Sequence, residues 1–245
     1  MTHRTASTPT KIFAHRGTTQ QGAPENSIRA ATDAVAAQAD GIELDIRRTK
    51  DNILLCVHDA DILGVPVSQL NWSDIESINQ TEGLEIPRLD EILPQIPHSV
   101  LLDIELKISG IASLTMQNVL AHRGPESFVV TSFLDAELKN TKEAYPNIRT
   151  GLILGKKDPN SWFKTRRSEL FPKHRLRESH ADFVVPHWRL LHFGFLKRMH
   201  QEGWPVWLWT VNAPHHLRRW INQPEIEVVI SDNVRMCRTV RSTSR

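Results

Sequence analysis

The chain has 245 residues and a mass of 28.0 kDa, with 40% hydrophobic and 24% charged residues, enough to bury a globular core without disulfides or bound metal. Its longest unbroken apolar run is five residues, Ile53 to Val57, against the ~20 that a membrane-spanning helix needs, which excludes a transmembrane protein. Thirty Lys/Arg against twenty-eight Asp/Glu give a formal +2, but residues 164–177 hold a surplus of five positive charges and residues 235–245 a surplus of four, so the remainder carries −7.

Residues 1–10 (MTHRTASTPT) read as a frayed tail without the apolar core of a signal peptide. Two cysteines, Cys56 and Cys237, are too few for a disulfide framework, and a cytoplasmic setting is expected. Short apolar segments then alternate with helical patterns. They are Lys11 to Ala14, Gly41 to Arg47, Val100 to Leu106, Phe128 to Thr131, Arg149 to Leu154, Phe183 to Pro186, Val206 to Thr210 and Val228 to Ser231. Such alternation predicts parallel strands joined by crossover helices. A ninth run, Ile53 to Val57, follows the second after only Thr49-Lys50-Asp51-Asn52. That connection is too short for a parallel crossover, so the run should be an extra antiparallel strand.

Between the strands, Ser27 should cap a helix through Ile28, Ala31 and Val35, and Asp135 one through Leu138. Further helices fit Ile111 to His122, Leu190 to Glu202 with Gly203 ending it, and Pro214 to Trp220. The Arg-rich residues 235–245 read as a basic, disordered C-terminal tail. Without an aromatic they lack the base-stacking face that nucleic-acid binding requires. The expected architecture is α/β, one domain over residues 11–234: a (β/α)8 barrel with an extra antiparallel strand after the second barrel strand. A doubly wound open sheet is the alternative, because periodicity does not show whether a sheet closes.

The most informative stretch is Gly41-Ile42-Glu43-Leu44-Asp45-Ile46-Arg47. A buried parallel strand should be nearly continuous Val, Ile and Leu, yet Glu43, Asp45 and Arg47 alternate onto one face. A solvated edge strand explains a single such alternation, but the pattern recurs in Asp103, Glu105 and Lys107. Two acidic strands facing a barrel interior need cationic compensation, to which Arg47 and Lys107 can contribute. The oxygen-only set Glu43, Asp45 and Glu105 suits a hard divalent cation, magnesium or calcium, with manganese a further candidate.

His15-Arg16-Gly17 ends the first strand and His58-Asp59 the extra one. Among twelve histidines several fall at strand ends by chance, and a solvated or capping role explains each one singly. Together, two imidazoles beside a metal, with Arg16 and Lys107 as fixed positive charges, are the parts required to cleave a phosphodiester.

In order along the chain, His15-Arg16-Gly17, Pro24-Glu25-Asn26-Ser27, Gly41-Ile42-Glu43-Leu44-Asp45, Thr49-Lys50-Asp51, His58-Asp59, Glu105-Leu106-Lys107, Trp209-Thr210-Val211-Asn212 and Ser231-Asp232 resemble the motifs of the glycerophosphodiester phosphodiesterases. The resemblance implies a TIM barrel that hydrolyses small glycerophosphodiesters to sn-glycerol 3-phosphate and an alcohol. It implies Glu43, Asp45 and Glu105 as metal ligands, His15 and His58 as general acid and base, Arg16 and Lys107 on the phosphate, and Trp209 beside the glycerol. It also implies a route in which the glycerol 2-hydroxyl attacks phosphorus first, giving a cyclic phosphate that water opens. The segment after His58-Asp59 (Ala60-Asp61-Ile62-Leu63-Gly64-Val65-Pro66) lacks the Arg-Thr-rich strap usual in relatives, which leaves leaving-group preference open.

Trp207 and Trp209 alternate on one strand. Trp207 is read as core and Trp209 as a wall of the site. Asn212 is either a turn residue or a hydrogen-bonding support of the site. The basic segment Lys164 to Arg177 is expected to be a loop, either a solvated face or a surface that draws anionic substrate or phospholipid, with Trp162, Phe163 and Phe171 as anchors. Two other functions compete: a lipid phosphodiesterase on the same barrel, resembling sphingomyelinase D or phosphatidylinositol phospholipase C, and a non-catalytic phosphodiester-binding barrel. Oligomeric state is not legible.

Overall fold

The structure, a computed structural model, describes residues 9–17, 22–155 and 162–243, with side chains from 165 onward in the last segment. Residues 1–8 of the expected N-terminal tail lie outside the described residues.

The strands are β1 (Lys11–Ala14), β2 (Gly41–Arg48), β3 (Leu54–Cys56), β4 (Asp61–Ile62), β5 (Val65–Pro66), β6 (Leu101–Leu106), β7 (Phe128–Ser132), β8 (Arg149–Leu154), β9 (Phe183–Pro186), β10 (Val206–Leu208) and β11 (Ile226–Ser231). Eight of them pair in parallel in the order β1-β11-β10-β9-β8-β7-β6-β2, and a β1–β2 pairing closes the ring. β3 lies outside it, antiparallel to β2, with Ile46 opposite Cys56. The open sheet is thereby excluded. β4 and β5 form a separate short hairpin.

The helices are α1 (Ile28–Ala36), α2 (Trp72–Glu82), α3 (Leu89–Ile92), α4 (Ala112–Leu120), α5 (Asp135–Ala144), α6 (Trp162–Leu170), α7 (Lys173–Glu178), α8 (Phe195–Glu202), α9 (Pro214–Trp220) and α10 (Val234–Thr243). Ser27 caps α1 as expected, its hydroxyl accepting from the Ala30 amide at 3.0 Å. Asp135 does not cap α5: it is the first helical residue, and its carboxylate instead takes a two-pronged bond from Arg175 at 2.5 and 2.9 Å. The helix expected from Leu190 begins only at Phe195, after a 3-10 turn over Trp188–Leu190 and a left-handed Gly194. Gly203, also left-handed, ends it as expected.

Two further expectations are corrected. The basic segment 164–177 is part of helices α6 and α7 rather than a loop, and several of its cations are paired, Arg166 with Glu169, Lys173 with Glu202 and Arg175 with Asp135. The C-terminal segment is not a disordered tail through residue 243. Val234, Cys237 and Val240 fall three apart on one face of α10 and are buried against the barrel. Its arginines bind the strand approaches: Arg241 donates to Thr10 O and to Asp40 Oδ2, both at 2.8 Å, and Arg238 to Gln38 O at 2.9 Å.

Most of the apolar residues pack between the strands and the outer helices. A second cluster fills the barrel interior, among it Phe13, Phe183, Val185, Trp207 and Ile230. Trp207 lies between Phe13, 5.0 Å away edge-on, and Phe183 at 4.4 Å. Each phenylalanine is opposite a glycine on the neighbouring strand, Phe13 on Gly41 and Phe183 on Gly151. A Cβ at either glycine would come within 2.3 Å of the ring. This aromatic floor leaves the C-terminal ends of β2 and β6 free to carry polar groups. Gly41→Ala and Gly151→Ala, at backbone angles open to alanine, should each cost about 1–3 kcal/mol through overpacking alone, measured as a lower urea midpoint at unchanged slope.

Candidate active site

The β2–β6 register sets Glu43 beside Asp103 and Asp45 beside Glu105. All four carboxyl groups are buried. Carboxylate oxygens of Glu43, Asp45 and Glu105 lie within 4.8 Å of one another, close enough to hold one metal ion.

Two cations from other turns reach this group. Lys107, one residue past β6, places Nζ 3.2 Å from Asp45 Oδ1 and 2.7 Å from Glu105 Oε1. Arg16 places Nε 3.1 Å from Asp45 Oδ2 and donates through Nη1 to both oxygens of Glu25, at 2.9 and 2.8 Å. Its backbone amide donates to Glu43 Oε2 at 2.8 Å. The turn that permits this runs through left-handed angles at Arg16 (φ 52) and Gly17 (φ 72). A Cβ on Gly17 would meet Ala30 Cβ at 2.7 Å, so position 17 is restricted to glycine by space as well as by backbone.

Asn26, also left-handed (φ 59), makes a reciprocal pair with Asp45. Its Nδ2 donates to Asp45 Oδ2 at 2.9 Å, and the Asp45 amide donates to Asn26 Oδ1 at 3.0 Å.

These contacts divide the charge unequally. Burial pushes the Asp45 carboxyl up, but Lys107, Arg16 and the Asn26 bond outweigh it and hold the group below the usual aspartate range. Burial and then the Asp45 charge push Glu43 well above its ordinary value, and the same two causes raise Glu105. Burial carries Asp103 up to about 8, so it is protonated at neutral pH, beside the Thr131 hydroxyl at 2.6 Å. Glu43 Oε1 is buried with no hydrogen-bond partner. Arg47 is within electrostatic reach of Asp45 and Glu105, as expected, and its Nε also donates to the His58 carbonyl at 2.9 Å.

Both histidines are oriented by an aspartate at Nδ1. His15 lies 2.6 Å from Asp232 Oδ1, and His58 lies 2.8 Å from Asp59 Oδ1. In the neutral ring this arrangement keeps the proton on Nδ1 and leaves Nε2 as the acceptor nitrogen. Asn212 is a support, not merely a turn residue. It donates through Nδ2 to Asp232 Oδ2, and its Oδ1 accepts from the Asp232 amide at 3.0 Å. His58 is tied to the carboxylate strand by the Arg47 bond and by the Val57 amide, which donates to Asp45 O at 2.9 Å.

Trp209 follows β10 and lines a cavity with His15, Glu43, Asp103, Glu105 and Thr131. Its indole N–H donates to Leu154 O at 3.0 Å, and its ring meets Phe133 edge-on at 5.6 Å. Trp207 is core, as read from the alternation.

Every residue singled out in the sequence for the site is therefore at this end of the barrel. Left without roles were Glu25, Asn26, Asp59, Asp103 and Asp232. Asp59 carries a local signal, a carboxylate next to a histidine. Asp232 is 217 positions from its partner and carries none.

A family model described as the Glycerophosphoryl diester phosphodiesterase family matches residues 15–236. A glycerophosphodiester phosphodiesterase of Caldanaerobacter subterraneus subsp. tengcongensis is 24% identical over 91% of this chain and 94% of its own. Among solved structures, a glycerophosphodiester phosphodiesterase from Parabacteroides distasonis superposes with a TM-score of 0.81 at 23% identity, covering 96% of this chain and 98% of its own. An Oleispira antarctica phosphodiesterase in complex with the product sn-glycerol-3-phosphate does so with a TM-score of 0.78 at 19% identity, over 96% and 97%. The fold and family together define a phosphoric diester hydrolase on a TIM barrel. The chain belongs to the glycerophosphoryl diester phosphodiesterase family.

Asn26→Ala deprives the buried Asp45 of two hydrogen bonds. It should lower stability by about 1–3 kcal/mol, the usual penalty for a buried polar group left short of partners, read from urea unfolding.

Proposed function

We propose that the enzyme hydrolyses glycerophosphodiesters to sn-glycerol 3-phosphate and an alcohol with one divalent cation, magnesium or calcium, held by Glu43, Asp45 and Glu105. The observation that carries this reading is the buried, partnerless Glu43 Oε1 within a trio of carboxylates less than 5 Å across. Burial and mutual repulsion raise two of the three acids, and a further positive charge at that point would offset both effects. The donor set is all oxygen, which fits a hard ion. When bound, such an ion acts as a Lewis acid on a phosphoryl oxygen.

The chain's own groups supply the rest. Arg16 and Lys107 present fixed positive charge where the diester phosphate gains negative charge on the way to the transition state. His15 and His58, each with Nδ1 occupied by an aspartate, use Nε2 to take the proton of the attacking hydroxyl and to give one to the departing oxygen. Trp209 walls the cavity that receives the glycerol. The product named in the Oleispira relative, sn-glycerol-3-phosphate, supports the assignment of the glycerol side.

The test is an assay of glycerophosphocholine and its ethanolamine, inositol and glycerol analogues, following free glycerol 3-phosphate. His15→Ala and His58→Ala should each lower kcat by at least ~10²-fold with an intact fold, the usual scale for a general acid or base. Near-normal turnover in either variant removes that residue from the mechanism, and a retained cyclic phosphate as end product replaces hydrolysis with transfer. EDTA should abolish turnover, with magnesium, calcium or manganese restoring it. Glu43→Gln should raise the cation concentration needed for half-maximal rate as well as lower the rate. Full activity in EDTA would dissociate the carboxylates from any metal role.

A further inference from the structure

Two phenylalanines stand out from the described surface. Phe193 is 83% exposed and Phe171 60%. Phe193 lies in the connection between β9 and α8, so it stands at the end of the barrel that carries the carboxylates; Phe171 joins α6 to α7. One side chain ties them together. The Arg198 guanidinium stacks over the Phe171 ring, 4.8 Å from its centroid, and donates to Leu170 O at 3.1 Å and to Phe193 O.

The backbone of Phe193 is held at a left-handed φ of 54, an angle that costs a bulky residue conformational energy. The chain thus adopts an unfavourable angle at a position where its aromatic ring makes mostly solvent contact. The surroundings are cationic. Residues 165–178 and 187–203 contain eight Lys/Arg against three Glu, in a chain whose overall surplus is only +2. Arg167, whose carbonyl accepts from the Phe171 amide, and Lys197, next to Arg198, are exposed and have no carboxylate within salt-bridge distance among the described residues.

We propose that Phe171 and Phe193, bridged by Arg198 and flanked by Arg167 and Lys197, form a docking surface for an anionic phospholipid membrane. A protein partner fits less well. Two partly exposed rings of about 150–250 Å² each fall short of the ~800 Å² per side that a stable protein interface buries. Shallow insertion of aromatics combined with diffuse charge is sufficient for an interfacial membrane contact. Arg198 holds the Phe171 ring and the Phe193 backbone in place, which reduces the ordering needed on contact. The proposal is independent of the substrate and metal assigned above.

The test is co-sedimentation of the full chain with vesicles of phosphatidylcholine, alone or mixed with equal phosphatidylglycerol. Binding to the mixed vesicles should exceed that to phosphatidylcholine by about tenfold or more at low salt and vanish near ~0.5 M NaCl, where exposed charges are screened. Phe171→Ser with Phe193→Ser should lower membrane partition by roughly tenfold or more, since each removes an inserted ring, while turnover of a soluble diester is unchanged. Arg167→Gln with Lys197→Gln should remove the preference for the anionic vesicles. Equal binding to both vesicle types, no binding to either, or a phenylalanine variant that partitions like the parent overturns the proposal. A concentration-dependent dimer that the phenylalanine variant dissolves also overturns it and assigns the patch to a second copy of the chain.

Discussion

Four carboxyl groups buried on two adjacent strands are the constraint to which the rest of the barrel mouth responds. Desolvation alone would keep most of them protonated. Arg16, Lys107 and Asn26 all converge on Asp45, which concentrates negative charge there and raises its neighbours. The left-handed backbone at Arg16, Gly17 and Asn26 follows from this convergence. One tight turn has to deliver a guanidinium to Asp45 and a peptide N–H to Glu43 at the same time, and an amide side chain has to return beside them. The acidic pair of strands and the strained entry to α1 are thus parts of one electrostatic arrangement.

The histidines are organised by the same economy of placement. Each receives its aspartate from a different level of the chain: Asp59 is the next residue, whereas Asp232 arrives at the end of β11 and is itself secured by Asn212 from beyond β10. Below them, Phe13, Phe183 and Trp207 close the interior with aromatic packing. This apolar floor separates the carboxylates from the Arg149–Glu227 pair at the opposite end of the barrel and strengthens the interactions between the charges above it.

Much of this was legible in the residues. Eight apolar runs marked the eight ring strands, and a four-residue connection identified β3 as antiparallel. The alternation of Glu43 with Asp45, repeated by Asp103 and Glu105, placed the acidic face inward. The segment between β3 and β6 gave little, because its strands are two residues long and α2 buries only Ile75. The Arg-rich C-terminus hid a helix because four arginines dominate its composition, although Val234, Cys237 and Val240 carried the helical spacing. Asp135 is a common capping type, and only the approach of Arg175 from a helix forty positions away diverts it. The pairing of His15 with Asp232 depends on ring closure, which no local pattern encodes.

That closure has a consequence for biosynthesis. β1 can meet β2 as soon as both have emerged from the ribosome, but its other neighbour is β11, whose last residue is Ser231. The seam that completes the cylinder is also the seam that brings Asp232 to His15. A nascent polypeptide that stops short of this strand has neither a finished ring nor an aspartate to anchor His15.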